Sequence, residues 1–352
     1  MTRAKKHLHI SFAKKQNDEK ELEASAFVDA ICPPPERVDH SVDNESVLQH
    51  LAISCRPTAE VQVDLVKKEL IEKRLEQFTL SVSAMNRYLD CPLSFYYEYI
   101  LRVPTAKSDS MAFGSAVHYA LEQLFKKMSN HPQKEFPSRE ETIQLFRWAM
   151  RRDEGAFTEL QFDRRVELGQ KIIGEYYDNY ITGFNKVAIT EYNINNATVY
   201  NVPIKGKLDK IEFDGASCTV IDYKTGSPEY SSRKDLYGPT EANPCGGDYW
   251  RQMVFYKILL ESFAPAKAWH MTAGIFDFIE KSKAGEFVRY TVPITDEEVK
   301  WVKNQIKEVY TSIMNHQFDT GCGKEDCHWC TFAKTYELAR PLQAIEEEEL
   351  LT

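Results

Sequence analysis

The stretch of sequence that decides the fold is residues 206–226, which read GKLDKIEFDGASCTVIDYKTG. The apolar run before Asp222 is typical of a buried strand, and alternate side chains of a strand point to one face, so Asp222 and Lys224 share a face. Gly215 supplies a turn, and the resulting hairpin would bring Asp209 beside Asp222. Two carboxylates and an ammonium on one face form a site for a divalent cation and an anionic substrate. By itself, the pattern also fits an exposed hairpin with a salt bridge.

Further elements of the sequence accompany this hairpin. A helix-like segment, 113–122, opens with small residues and carries a histidine, and the apolar run that ends at Glu191 is strand-like. Residues 252–256 form a Gln-x-x-x-Tyr element whose two polar side chains share one helix face. Residues 81–97 combine a Ser-x-Ser segment with a Cys-Pro pair. In order and spacing, these elements and the hairpin resemble the RecB-type branch of the PD-(D/E)XK nuclease superfamily over residues 79–336.

The resemblance implies a metal site made of a histidine and carboxylates. By this resemblance, His118, Asp209 and Asp222 hold Mg²⁺ or Mn²⁺, and Glu191 stands where the family often has a glutamate. Nitrogen ligation by His118 tilts the preference somewhat toward Mn²⁺. Without the resemblance, His118 would more commonly be a packed core histidine, and Glu191 could be a solvated strand residue.

The resemblance also implies a catalytic group around the metal. Lys224 is expected to orient or help to deprotonate the attacking water and to offset phosphate charge, because a compact ammonium shifts its pKa readily when buried. Gln252 and Tyr256 are expected to contact the scissile phosphate or the DNA backbone, although in isolation they could be helix surface and core. Tyr223 is expected to point into the core, away from Asp222 and Lys224.

The first residues resemble a different family. Residues 1–12 read MTRAKKHLHISF, and their Thr-Arg-Ala core resembles the last conserved motif of UvrD-type helicases. Residues 21–28 resemble the tail of such a helicase domain. No Walker A sequence occurs in the chain, so it is not expected to be an ATPase by itself. The resemblance implies a C-terminal piece of a larger helicase–nuclease, with a helicase domain as partner; a chance basic N-terminus is the alternative.

The cysteines form a separate pattern. With no secretory signal, a disulfide framework is not expected. Cys322, Cys327 and Cys330, together with Cys91 far upstream, resemble the residues that hold a [4Fe–4S] cluster in some nucleases of this branch. Thiolates suit iron–sulfur clusters or zinc. Where the family's late group commonly has its third cysteine, this chain has Tyr336, so a metal-free arrangement also stays open.

The composition agrees with a soluble intracellular protein, and the resemblance implies the bacterial cytoplasm. The 352-residue chain is long enough for a sizeable core and carries a formal net charge of −9. The chain lacks the run of about 18 apolar residues that a membrane span needs, and its charged N-terminus lacks the apolar segment of a signal peptide. The negative charge argues mildly against a nucleic-acid binder that acts alone, since phosphate contacts need lysine and arginine.

The pattern of elements predicts an α/β (α+β) fold, with a central mixed β-sheet flanked by helices. The resemblance implies a restriction-endonuclease-like core with a helical N-terminal part. The expected domains are a helicase remnant, a linker with a helix, the nuclease domain and an acidic tail, at 1–30, 31–78, 79–340 and 341–352. One expected helix begins at a cap, Ser83, and ends at Tyr88, and another begins at a Thr295-x-x-Glu298 capping box and ends near 315. Further helices are expected at 61–78, 95–100, 114–128, 138–152, 160–182 and 249–262. Strands are expected at 187–194, 198–213, 217–223, 268–279 and 286–293, and a mobile, DNA-contacting loop at 225–248.

Two classes of function fit these observations. The resemblance favours a Mg²⁺-dependent deoxyribonuclease that digests single strands, delivered by a linked helicase, from their ends in DNA repair and recombination or in the destruction of foreign DNA. The alternative is a catalytically silent module that binds DNA or acts as a scaffold in a helicase complex. A restriction-type endonuclease would need a separate recognition domain, for which the sequence offers no candidate. Because the catalytic motif is complete, the nuclease is favoured.

Overall fold

The computed structural model describes residues 43–47, 65–229, 233–263 and 269–335. The expected helicase remnant and acidic tail, and most of the linker region, lie outside the described residues. The chain divides into two units. Of the described residues, the first unit contains 106–123 and 137–179, and the second contains the remainder.

The helices and strands are numbered in chain order. The α-helices are α1 (Lys68–Leu75), α2 (Val82–Asp90), α3 (Pro92–Phe95), α4 (Asp109–Asn130), α5 (Arg139–Arg152), α6 (Glu159–Tyr180), α7 (Asp248–Phe263) and α8 (Asp296–Met314). The strands are β1 (Ala188–Val199), β2 (Val202–Asp214), β3 (Ser217–Lys224), β4 (His270–Phe278) and β5 (Arg289–Val292). A π-helical turn, Tyr96–Ile100, follows α3, and residues 328–335 are helical. Within the described ranges, no helix is long and apolar enough to cross a membrane.

The five strands form one sheet in the second unit, ordered from β1 to β5 as in the sequence. The pairs β1–β2, β2–β3 and β4–β5 are antiparallel, whereas β3 and β4 are parallel. A parallel pair needs a crossover connection, and α7 supplies it. The mixed sheet with its helices confirms the predicted fold class.

The predicted hairpin of β2 and β3 is present. Its turn lies at Gly215, whose φ of 60° is in the left-handed region that glycine adopts without steric cost. The ladder extends to the pair Lys210–Ile221. One step further in the same register, Asp209 lies opposite Asp222 at the end of the hairpin.

The predicted strand 198–213 is wrong at its start. The chain turns at Tyr200 and Asn201, which have φ angles of 48° and 64°, and Val199 pairs with Val202 across them. Positive φ at both central residues is the geometry of a type I′ hairpin turn. Because neither residue is glycine, the sequence carried no strong sign of this turn.

The predicted cap of α2 is also wrong. The Ser81 hydroxyl, and not that of Ser83, accepts a hydrogen bond from the backbone N–H of Ala84. Leu80 exchanges backbone hydrogen bonds with β2, which keeps the chain extended up to Ser81 and sets where the helix begins. The capping box predicted at the start of α8 is confirmed.

The helix predicted at 61–78 is shorter in the structure. Residues 61–64 lie outside the described residues, and α1 occupies only Lys68–Leu75. Ile71 and Leu75 are buried in this helix, whereas Leu70 is exposed.

Helix α7 is buried on nearly all sides. Every residue from Trp250 to Leu260 is buried except Gln252, which is partly buried. The helix contacts β1, β2, β4 and α8. A helix buried on nearly all sides belongs to the core, and each large apolar side chain that it buries contributes about 1.5–3 kcal/mol. This packing holds Gln252 and Tyr256 in fixed positions.

The predicted loop 225–248 contains regular contacts. Thr240 and Asn243 form a β-bridge, and residues 230–232 lie outside the described residues. The end of the segment is held by the Arg251 guanidinium, which donates to the carbonyl oxygens of Cys245 and Gly246, each at 2.8 Å. Its mobility and its contact with DNA stay predictions.

The first unit has its own helical packing. Phe113 of α4 packs edge-on against Phe146 of α5, with ring centroids 5.8 Å apart. Gly169 of α6 makes room for that ring, since a Cβ there would lie 2.1 Å from Phe146 Cζ. Asp109 and Arg165 form an ion pair of 2.7 Å between α4 and α6. Side-chain packing and ion pairs thus connect α4, α5 and α6.

Candidate active site

Asp222 and Lys224, near the end of β3, form a close ion pair. As alternate residues of a strand they share a face, and Lys224 Nζ lies 2.8 Å from Asp222 Oδ2. The side chain of Asp222 is 5% exposed and that of Lys224 is 19% exposed, so water screens their attraction little. Tyr223 between them is buried, as predicted.

Helix α7 completes this group with an amide and a phenol. Gln252 Nε2 donates to Asp222 Oδ1 at 2.8 Å, while Gln252 Oε1 accepts from Lys224 Nζ at 3.1 Å. Gln252 Nε2 also lies 2.8 Å from the Tyr256 hydroxyl, which donates to Asp222 Oδ1 at 3.3 Å. One amide thus contacts both charged residues, and Asp222 and Lys224 are held in a single orientation.

The surroundings favour a charged lysine and a neutral tyrosine. Burial opposes the charge of Lys224, but the attraction and hydrogen bond of the Asp222 carboxylate outweigh it and raise the pKa of Lys224. Burial, followed by the negative charges of Asp222 and Asp209, holds the pKa of Tyr256 well above its ordinary value. Asp222 therefore has an ammonium on one oxygen and neutral donors on the other.

Two aromatic rings that the sequence analysis did not single out surround Lys224. Its Nζ lies 4.3 Å from the ring centroid of Tyr249 and 4.8 Å from that of Phe276, which is cation–π distance. Tyr249 precedes Gln252 by three residues on α7, and this spacing on one helix face was the available signal. Phe276 lies opposite Asp222 on β4 and had no local signal.

Asp209 of β2 lies beside this group. Its Oδ2 accepts a hydrogen bond of 2.9 Å from the backbone N–H of Tyr223. Glu191 lies opposite Asp209 in the register of β1 and β2, and carboxylate oxygens of the two residues lie within 4.8 Å of each other. The φ of Glu191 is 54°, which is strained for a residue with a Cβ and is common at functional sites.

The oxygen donors fit a divalent cation. Mg²⁺ and Mn²⁺ prefer carboxylate oxygens, and Asp209 and Glu191 supply them at close range. Lys207 forms an ion pair with Glu191, so a cation already balances part of this negative charge. His118 lies on α4 in the first unit and is partly buried. Its role as a metal ligand stays a prediction.

A buried lysine next to Asp209 was not foreseen. Lys210 is fully buried, and its Nζ lies 2.8 Å from Glu212 Oε1, an ion pair without hydrogen-bond geometry. The same Nζ lies 4.5 Å from the ring centroid of Phe125 and 5.1 Å from that of Phe184. Burial lowers the pKa of Lys210, and the negative charge of Glu212 offsets only part of this effect. Since neighbouring strand residues face opposite ways, Lys210 anchors β2 from the side opposite to Asp209.

The cysteines predicted to bind metal meet in the second unit. The Sγ atoms of Cys91, Cys322, Cys327 and Cys330 all lie within 4.8 Å of one another. Cys91 caps α3, and its Sγ lies 3.7 Å from that of Cys330, 239 positions away in the sequence. Four thiol donors are the ligand type of both metal groups considered from the sequence, zinc and an iron–sulfur cluster. Tyr336 lies outside the described residues.

Distances and pKa values describe the cluster further. The Sγ atoms of Cys322 and Cys330 lie 3.9 Å apart. Sulfurs each about 2.3 Å from one tetrahedral zinc ion would lie about 3.8 Å apart. An iron–sulfur cluster would hold them further apart, because iron and sulfide lie between them.

Burial raises the pKa of Cys322 to about 11. Burial acts likewise on Cys327, but hydrogen bonds from Ser94 and the Cys330 backbone outweigh it and lower the pKa of Cys327 to about 7.

Comparison with known proteins identifies the family. The family model of the PD-(D/E)XK nuclease superfamily matches residues 79–335, and the chain belongs to this superfamily. Such proteins are hydrolases of phosphodiester bonds in nucleic acid and use divalent metal ions. The predicted superfamily is therefore confirmed.

Solved structures also match the chain. A provisionally named exonuclease from Eubacterium rectale is 14% identical, with a TM-score of 0.45; the match covers 76% of this chain and 92% of that one. The protein SSO0001 is 14% identical, with a TM-score of 0.31 and coverage of 77% and 95%. No curated protein matches the chain.

Proposed function

We propose that the chain is a metal-dependent deoxyribonuclease of the RecB type. The observation that carries the proposal is the contact group at the end of β3, where Asp222, Lys224, Gln252 and Tyr256 meet beside Asp209. Hydrolysis of a phosphodiester needs oxygen ligands for a cation, a positive charge near the phosphate and fixed hydrogen-bond donors. This group contains all three.

Asp209 and Asp222 are the proposed ligands of Mg²⁺ or Mn²⁺, with His118 and Glu191 completing the set. When bound, such an ion lowers the pKa of coordinated water and offsets the charge of the phosphate. The proposed role of Glu191 as a metal ligand is supported by the short distance between its carboxylate and that of Asp209. His118 is included because of the helix motif in which it stands.

Lys224 and Gln252 have distinct proposed roles. The Lys224 ammonium orients the attacking water and offsets charge that develops on the phosphate, since it forms an ion pair of 2.8 Å with Asp222. Gln252 fixes the side chains of Lys224 and Asp222 relative to each other through its two hydrogen bonds. Tyr256 donates to Asp222, and both α7 side chains are also proposed to contact the scissile phosphate or the DNA backbone.

The proposal includes the setting of the reaction. The chain is proposed to digest single strands from their ends, with strands delivered by a UvrD-like helicase domain, in DNA repair and recombination in the bacterial cytoplasm. The resemblance of residues 1–12 to a helicase motif supports the partnership, and these residues lie outside the described part of the chain.

The direct test is digestion of single-stranded DNA by the purified protein. We expect Mg²⁺- or Mn²⁺-dependent release of acid-soluble nucleotides from linear strands, no release in the presence of a chelator, and intact circular strands. Because an exonuclease needs an end, cleavage of the circles would contradict the exonuclease assignment while supporting the nuclease.

The same experiment distinguishes the nuclease from a second candidate function, a catalytically silent DNA-binding module. A catalytically silent module would bind the labelled strand and release no nucleotides with either metal. The intact ion pair of Asp222 and Lys224, held by Gln252, argues against that candidate.

The cysteine cluster is proposed to hold a metal that ties the start of the nuclease domain to its end. Protein purified without oxygen is expected to contain either iron with sulfide, seen as broad visible absorption, or about one zinc per chain. Cys330→Ala is expected to lose this metal and to unfold at a lower temperature. Cys245→Ser, whose thiol lies outside the cluster, should retain it. Metal-free protein with unchanged stability would contradict this proposal.

A further inference from the structure

A groove lies within the second unit, between β1, β2 and the start of α2. Its volume is about 380 Å³. The polar side chains that line it are those of Ser81, Ser83, Asn193, Asn195, Lys205 and Lys207. Among the described lining residues none is acidic, although the whole chain has a net charge of −9. The groove is therefore a locally basic and polar feature of an acidic protein.

The backbone builds this groove through two irregularities. The register of β1 and β2 shifts by one residue between Ile194 and Ala197, which is a bulge beside Asn195, a lining residue of the groove. Beyond the end of β3, Leu80 takes the vacant place next to β2 by bonding to Pro203 and Lys205. This contact places the start of α2 beside Lys205 and Lys207 of β2.

The groove adjoins the candidate active site at two points. Lys207 forms an ion pair with Glu191, whose carboxylate lies near Asp209. Tyr256 also lines the groove and donates a hydrogen bond to Asp222. A molecule in the groove would therefore lie directly beside the proposed metal ligands.

Lys205 is the lysine available to a ligand. Its side chain is exposed, and among the described residues no side chain pairs with its ammonium, in contrast to Lys207. An exposed ammonium next to amide side chains binds phosphate oxygens well, because each donates hydrogen bonds to an anion. Such contacts position a nucleic acid without reading its bases.

We propose that this groove is a subsite for the sugar–phosphate backbone of one nucleic acid strand, flanking the scissile phosphate. The proposal rests on the proposed function and adds where the strand lies: Lys205 contacts a phosphate, and Asn193 and Asn195 contact the adjoining backbone. A volume of about 380 Å³ is at the small end of ligand pockets and suits about one nucleotide. A duplex is much too wide for it. Contacts to the backbone alone predict cleavage without sequence preference.

The test compares two charge reversals in the full chain. For a linear single-stranded oligonucleotide, Lys205→Glu is expected to raise KM about tenfold, the loss of one charged hydrogen bond. The dependence of log KM on log salt should become shallower by about 0.7, the value of one phosphate contact on a single strand. The backbone N–H of Lys205 still bonds to Leu80, so the variant should fold. Lys307→Glu, an exposed lysine on α8, is the matched control and should leave both quantities unchanged.

A binding measurement separates failure of the groove from failure of the nuclease. Fluorescence anisotropy of a labelled strand needs no cleavage, and Lys205→Glu should weaken this binding about tenfold as well. Weakened binding in a protein that cuts nothing would support the groove and contradict the nuclease. Normal cleavage with equal KM in the two reversals would overturn the groove. An equal loss of duplex binding would overturn the assignment to a single strand.

Discussion

Lys224→Met is expected to reduce DNA cleavage about a thousandfold or more while the protein stays folded. The variant removes the ammonium that lies 2.8 Å from Asp222, the cation proposed to act on water and phosphate. The methionine side chain can still pack against Tyr249 and Phe276. Asp222 keeps its hydrogen bonds from Gln252 and Tyr256, so the remaining carboxylate is not left without donors. Nucleotide release per mole of folded protein is the measurement.

The same helix carries a matched control for this variant. Lys257 is also buried, and it donates to the Met271 carbonyl and pairs with Glu261, outside the candidate site. Lys257→Met should lower thermal stability but leave cleavage per folded molecule unchanged. Asp222→Ala is expected to be as inactive as Lys224→Met, because it removes a proposed metal ligand. Full activity in either Asp222→Ala or Lys224→Met would remove these residues from the mechanism.

Arg251→Lys is expected to lower the free energy of unfolding by about 3 kcal/mol. The guanidinium of Arg251 is 1% exposed and donates to the side chains of Gln305 and Asn86 and to the backbone of the loop before α7. A lysine has three donors on one nitrogen and cannot reproduce this planar fork. Several buried acceptors would therefore lose their donors.

Denaturant unfolding measures this loss of stability, and cleavage activity is a second measurement. The start of α7 carries Gln252 directly after Arg251, so cleavage by Arg251→Lys should also fall. Arg151→Lys, an exposed arginine on α5, is the control and should change stability by less than about 0.5 kcal/mol. Unchanged stability of Arg251→Lys would show that the loop is held by other contacts.

Much of the fold could be predicted, because its elements carry strong local patterns. A run of apolar residues predicted β3, a turn glycine predicted the hairpin, and a Thr-x-x-Glu pair predicted the start of α8. The failures occurred where tertiary contacts outweigh local preference. Ser81 caps α2 instead of Ser83 because Leu80 is bonded to β2, and Tyr200 and Asn201 turn the chain without glycine.

The candidate site was predictable to a similar degree. Spacing alone indicated that Asp222 and Lys224 share a face and that Gln252 and Tyr256 share another. It did not indicate that Tyr249 and Phe276 enclose the lysine, since Phe276 arrives from β4 through parallel pairing.

By itself, the sequence predicted the candidate site residues and determined which strand face presents Asp222 and Lys224, because alternation along a strand is a local property. Only the tertiary structure decided that Gln252 contacts both of them, that the strained Glu191 lies near Asp209, and that the groove of Lys205 adjoins the site. Such contacts join segments distant in the chain. They depend on how the crossover helix α7 and the bulged strand β1 pack against β2, which no local pattern of residues specifies.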